Sequence, residues 1–263
     1  MTRVLSATVL AALVLGVVCF LPPEATLLLA VLASAVAFAE YADLAAAVGT
    51  RIPIVPSGAA VAAACVAVGG QDLPLEMVCL IAFICIGLIA IAGGHPGPEV
   101  LRDAAAALFP ILYLGIPLGT LAAIRLIGGR DAMLLLILTI IVSDSAQYYT
   151  GRALGRRRLA PAISPSKTIE GALGGLVLGT AAMTFGGLSV FRGVNLWLLV
   201  ATSVAVVALG MVGDLFESLL KRSAGVKDSS TLIPGHGGVL DRIDSWLFAA
   251  PVFYVYIRYL QAS

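Results

Sequence analysis

The segment LEMVCLIAFICIGLIAIA, residues 75–92, carries a single charged residue, Glu76, in eighteen positions. A helix needs about 20 predominantly apolar residues to cross the hydrocarbon core of a bilayer. Runs of this kind recur along the chain at about 4–21, 25–48, 53–70, 74–93, 104–127, 131–150, 169–191, 194–220 and 240–260. In lipid every backbone amide must be satisfied within its own segment, so such runs fold as helices. The chain is therefore expected to be an all-α, polytopic integral membrane protein with about nine transmembrane helices.

The breaks between runs are rich in turn formers: Pro22-Pro23, Gly49 to Pro53, Gly69-Gly70, GGHPGPE, GGRD and RRRLAPAISPSK. Hydrophobic residues make up 60% of the 263 positions and the mean hydropathy is +1.04, well above the roughly 45–50% apolar content of soluble domains. The first run, with Arg3 ahead of it, has the outline of a signal peptide but no convincing small-residue cleavage site, and we read it as a retained span. Cys19, Cys65, Cys79 and Cys85 lie singly in apolar runs and match no zinc or redox spacing; they read as small packing residues. A net charge of +1 gives no basis for a nucleic-acid partner.

With the N-terminus in the cytoplasm, twelve basic residues fall on inward-facing connections and four (Arg125, Arg130, Arg192, Arg258) on the other side. This is the positive-inside bias. It places two charged loops, 151–168 and 221–239, on one cytoplasmic face. Residues 1–100 then read as an N-terminal group of spans, and 101–263 as the catalytic membrane region.

Charge gathers in KRSAGVKDSSTLIPGHGGVLDRID, residues 221–244, where seven charged side chains fall in an otherwise apolar polypeptide. Just before it, Asp214, Glu217, Ser218 and Lys221 occupy one helical face at i, i+3, i+4 and i+7. A carboxylate at the depth of Asp214 is costly unless it meets a polar cavity or a partner. A pairing of Asp214 or Glu217 with Lys221 that secures the helix end is the structural alternative. Asp241 and Asp244, three apart, share a face of the last span. An acidic first turn offsetting the helix dipole accounts for one of the two. Converging carboxylates suit a hard cation, Mg²⁺ above all, whose shell is commonly completed by phosphate oxygens. Lys221, Arg222, Lys227 and Arg242 exceed what those carboxylates need and point to a polyanion such as a nucleoside triphosphate.

The connector STLIPGHGGVL adds Gly237-Gly238, whose backbone can approach a ligand closely. His236 there reads equally as a general acid, a phosphate donor or a loop hydrogen-bonder. In the other charged loop, Ser143 and Asp144 end the sixth span, while Ser164, Lys167 and Glu170 lead into the seventh. Lys167 just ahead of a helix N-terminus suits phosphate binding. The run Arg156-Arg157-Arg158 suits topology fixing or contact with anionic headgroups.

Ser218, Lys221, Arg222, Lys227, Asp228, His236, Gly237, Gly238, Asp241, Arg242 and Asp244 together resemble, with every spacing intact, the signature of the phosphatidate cytidylyltransferase (CDP-diacylglycerol synthase) family. SPSKTIEG (164–171) is similar to that family's Ser-Pro-x-Lys-Thr-x-Glu-Gly element. DSAQYYTGR (144–152) resembles its Asp-x-x-Ala-Tyr-x-x-Gly element through Asp144, Tyr148 and Gly151, with Gln147 where Ala is usual. FAEYADL (38–44) is similar to an acidic-aromatic patch in the family's second span.

The resemblance implies the reaction CTP + phosphatidate → CDP-diacylglycerol + pyrophosphate at the cytoplasmic side of a bacterial inner membrane. It also implies a two-cation centre (Mg²⁺, with K⁺ a candidate for the second ion) and a homodimer. On the residue reading, Asp214 and Asp241 would ligand the metal, with Asp244 and Asp144 as weaker ligands or supporting groups. Lys167, Lys221, Arg222 and Lys227 would grip phosphates, and His236, Gly237 and Gly238 would line the nucleotide pocket. Ser164, Ser218, Tyr148, Asp228 and Arg242 complete the expected substrate-binding set. An ion-coupled transporter also carries intramembrane acids, but it would show repeat symmetry and midplane sites, and neither is visible. A CTP-using transferase acting on another lipid phosphate or a polyprenol is the nearer rival.

Overall fold

A computed structural model of the protein describes residues 2–70, 73–94, 96–233, 235 and 237–260. Helices form where the apolar runs predict them: α1 Thr2–Phe20, α2 Pro23–Ala47, α3 Ile54–Gly70, α4 Leu75–Ala92, α5 Pro98–Pro110, α6 Ile116–Ile127, α7 Gly129–Leu154, α8 Ile169–Val190, α9 Leu196–Ser223 and α10 Leu240–Val255. Among the described residues, six helices are long and apolar enough to span a bilayer, with α5 and α6 counting as one rod, Pro98–Ile127; Thr8–Phe20 and Ile54–Gly70 are shorter apolar helices. The chain is an all-α, multi-pass membrane protein.

Proline explains much of the punctuation. Pro23 and Pro98 open α2 and α5, where the missing amide would lack a partner in any case. Pro110 sits inside a rod, and a π-helical turn, Ile111–Gly115, follows directly, absorbing the lost i→i−4 bond.

The charged loop expected over 151–168 is more ordered than a loop. α7 continues to Leu154, and Arg158–Ala160 (β1) pairs antiparallel with Ser164–Thr168 (β2). Thr168 ends this hairpin extended, at φ −122° and ψ 155°, and caps α8 by accepting Gly171 N–H on Oγ1 at 3.1 Å. Glu170 Oε2 accepts the amides of Arg156 and Arg157 at 2.9 and 3.2 Å. The backbone of the arginine run is thereby tied down, while its side chains stay exposed.

By contacts the chain groups into two compact units, Met1–Leu126 with Leu220–Ile243, and Ile127–Leu219 with Asp244–Ser263. In the first, α3 packs against α2, α4 and the π turn. In the second, α8 presents buried Gly171, Gly175, Gly179 and Gly187 at helical spacing, the small-residue stripe that lets membrane helices approach closely. A Cβ on Gly179 would stand 2.9 Å from Ser143 Cβ of α7 and 3.0 Å from Val207 Cγ2 of α9, and one on Gly175 would collide with Gln147 Cγ. Gly175→Val is therefore expected to destabilise the protein by about 3 kcal/mol or more through overpacking. A fall of several degrees in the detergent unfolding temperature checks this, and an unchanged value refutes the close approach.

Candidate active site

Two polar clusters, one in each unit, collect most of the residues singled out above. In the second unit the hairpin delivers Lys167 one residue before the cap of α8, and its ammonium ion-pairs with Asp214 of α9. The two side chains are 20% and 28% exposed. The Lys167 nitrogen itself is closed to solvent, so its charge is offset by Asp214. Asp244 lies within electrostatic reach of Asp214, Asp144 and Lys167, and its Oδ1 accepts Ser245 N–H at 2.7 Å. Gly213 brings α9 onto α10 here, since a Cβ would fall 2.5 Å from the Asp244 carbonyl. Asp144 accepts a hydrogen bond from Gln147 Nε2 at 3.1 Å. Gln147, the departure from the usual Ala, thus has room opposite Gly175 and braces the acid beside it. A small cavity adjoins Asp144, lined also by Thr139, Ser143, Gly210, Met211 and Ser245.

The first unit holds the segment after α9. Gly225, at φ +73°, closes the helix end, with Val226 N–H donating to Lys221 O at 3.0 Å. Lys221 ion-pairs with Asp241, both nearly buried. Asp241 Oδ2 accepts Ser229 N–H at 2.9 Å and Gly238 N–H at 2.8 Å, and lies 2.8 Å from Ser229 Oγ. Only glycine fits at 237, because φ is +77° and a Cβ would meet the Asp241 carboxylate. The Gly238 amide is bonded inside the protein. Glu40, from α2, accepts from the Ser230 hydroxyl and from the Val239 and Leu240 amides, and shares the single Ser229 hydroxyl proton with Asp241.

Asp214 and Asp241, expected to share a cation, fall in different units, and each is engaged within its own. Arg222, Lys227, Asp228 and Arg242 are exposed, and Arg222 donates to Val226 O at 2.9 Å. Ser218 and Ser164 are half-buried. Tyr148 is exposed, accepts from Arg152 at 3.3 Å and meets Tyr149 edge-on. His236 lies outside the described residues. Sequence reasoning missed the role of Ser229 and Ser230, ordinary residues in a serine-rich turn. It noted Glu40 only within FAEYADL, although an acid inside an apolar span is itself a signal.

Among the described residues, no three His, Cys, Asp or Glu side chains are disposed as a ready metal shell. Asp144, Asp214 and Asp244 nevertheless offer three hard oxygen donors near one ammonium. That donor chemistry suits Mg²⁺, which keeps waters and takes substrate phosphates rather than a complete protein cage. Asp241 fits less well, since Lys221, two backbone amides and a hydroxyl shared with Glu40 already surround its oxygens.

Membrane helices that carry an acid–ammonium pair in one unit and a braced polar connector in the other suit an enzyme working at a lipid surface. The chain belongs to the cytidylyltransferase family, whose model matches residues 1–260. It is similar to the phosphatidate cytidylyltransferase of Staphylococcus saprophyticus, 35% identical over 185 residues that make up 70% of each chain. It also resembles those of Helicobacter pylori, 36% identical over 72% of this chain and 67% of the relative, and Haemophilus influenzae, 50% identical over 48% and 45%. The match thus spans about half of the Haemophilus relative and about two thirds of the other two.

Proposed function

We propose that this family member transfers CMP from CTP to phosphatidate, giving CDP-diacylglycerol and pyrophosphate for phospholipid synthesis. The observation that carries the reading is the Lys167–Asp214 pair, a partly exposed charge pair at the entry to a membrane helix, set beside Asp144 and Asp244. One substrate is a soluble polyanion and the other is anchored in lipid, so a site at the membrane boundary serves both.

A phosphatidate oxygen bonds to the α-phosphorus of CTP as the α–β bridging P–O bond breaks, and that electron pair leaves on pyrophosphate. The phosphate monoester is already anionic near neutral pH, so no strong base is needed. The work is positioning and charge stabilisation. In the second unit Lys167 would hold phosphate, with Ser164, Ser218 and Tyr148 as further substrate-binding residues; in the first, Arg222, Lys227 and Arg242 would do so, with Asp228, His236 and Gly237 as further substrate-binding residues. Asp144, Asp214 and Asp244 would hold Mg²⁺, which when bound supplies screening of phosphate charge. Asp241 would add an oxygen only by releasing Lys221, and K⁺ is the proposed second ion. Chelation by EDTA is expected to stop turnover and added Mg²⁺ to restore it; full activity in EDTA would exclude an exchangeable metal.

We place the site on the cytoplasmic face of a bacterial inner membrane with the N-terminus inside, in keeping with the basic bias, and propose a homodimer. Cysteines introduced near 165 and 230 should label only from the cytoplasmic side, and labelling from outside would overturn the orientation. The test of the reaction itself is radiolabelled CTP turnover by purified protein over a panel of lipid phosphates. Phosphatidate should be the preferred acceptor; preference for a polyprenol phosphate would establish the rival transferase.

A further inference from the structure

We propose that Glu40 is a positioning residue that holds the two ends of the connector between α9 and α10, Ser229–Ser230 and Gly238–Leu240, in their working arrangement, an inference that rests on the nucleotidyltransferase reading above. Glu40 is 4% exposed and lies in α2, some 190 to 200 positions from the groups it engages. Its Oε1 accepts Ser230 O–H at 2.7 Å and Val239 N–H at 2.9 Å. Its Oε2 accepts Leu240 N–H at 2.8 Å and lies 2.9 Å from Ser229 Oγ. Three donors of its own and a fourth hydroxyl shared with Asp241 leave little room for proton transfer, so the carboxylate works as a clamp.

The charge logic is specific. A buried carboxylate is costly unless its charge is offset. Among the described residues, Glu40 meets no cation; its partners are two hydroxyls and two amides. Those amides open α10, where the helix dipole favours an anion. Glu40 therefore caps a helix that its own segment does not begin. The neighbouring residue fixes α2, because Tyr41 O–H donates to Ala106 O at 3.0 Å and its ring packs on Phe109 at 5.9 Å.

Ser229 joins this clamp to the Lys221–Asp241 pair. Its single hydroxyl lies 2.9 Å from Glu40 Oε2 and 2.8 Å from Asp241 Oδ2. Both ends of the connector are thus fastened, Ser229 and Ser230 at the start and Gly238 to Leu240 at the finish. Between them stand Gly235 and Gly237, both with positive φ, and the bridge Ile233 N–H to Gly237 O at 2.8 Å. With two left-handed glycines, the connector depends on its fastened ends for a defined shape.

Glu40→Gln decides the matter. One amide oxygen can still accept from one side, but the NH₂ then faces donors. The KM for CTP should rise tenfold or more while kcat falls, and amide hydrogen exchange over 229–241 should quicken at least tenfold with α8 unchanged. Loss of folded enzyme alone would lower kcat and leave both KM and the exchange of surviving protein as in the wild type, which would overturn the proposal. Ser230→Ala keeps both amide bonds and should shift KM less than threefold; an effect equal to that of Glu40→Gln would also overturn it. Should Glu40→Gln fail to insert, Glu40→Asp, which keeps the charge but shortens the reach, carries the same comparison with an intermediate rise in KM. If the wild type turns over CTP with no lipid phosphate, the functional reading fails, while the exchange measurement still decides the clamp.

Discussion

Asp214→Asn should lower CTP-dependent pyrophosphate release by about 10³-fold, the scale seen when a charge-stabilising group is removed from an active site, with membrane insertion unchanged. The substitution keeps size and shape and removes one negative charge. Lys167 Nζ is closed to solvent and loses its ion-pair partner, so the variant should also lose about 1–3 kcal/mol of stability. The two readouts therefore differ in scale: activity collapses, while the unfolding temperature falls by only several degrees. Lys167→Met should reduce turnover as well, chiefly through a higher KM for a phosphate-bearing substrate. Near-normal turnover in Asp214→Asn would remove Asp214 from the machinery and with it the central element of the proposed site.

Asp241→Asn is expected to cost more stability still, because its pair with Lys221 is the more deeply buried of the two. Its amide oxygen can keep the bonds from Ser229 and Gly238, but its NH₂ is turned toward the Lys221 ammonium. Removing one partner of a buried pair costs about 3–5 kcal/mol, because an uncompensated charge stays behind. Lys221→Met in the same chain removes that charge and should recover at least half of the loss in unfolding temperature without restoring activity. A double-mutant cycle in detergent measures the coupling. A double variant no more stable than Asp241→Asn alone would show that the ion pair is not what anchors the segment.

The contrast between Asp214 and Asp241 was not legible in the chain. Both are acids near the ends of apolar helices, and the shared-cation expectation treated them alike. Burial and partners distinguish them, and neither follows from spacing along a helix. Lys221 illustrates the same point: helical periodicity offered Asp214 and Glu217 as companions and could not point to Asp241, which the ammonium reaches twenty residues on. Gln147 departs from the family pattern and looks anomalous until Gly175 is found opposite it. The hairpin 158–168 was likewise hidden, since two strands this short carry no usable alternation; its extended end is set by the Thr168 cap and the tie to Glu170.

What could be read from residue order was local or compositional. Apolar runs of spanning length demand helices because lipid offers no hydrogen bonds to an open backbone. Prolines and glycines mark the ends of those runs, and the signature residues 218–244 announce the chemistry. Only the folded chain decided which charges neutralise one another. Lys167 goes to Asp214, Lys221 to Asp241, and Glu40 crosses from the second helix to cap the last one. Electrostatic pairing in a poorly solvated interior depends on distance in space and on the donors left free by neighbouring backbone, and neither quantity is written in residue order.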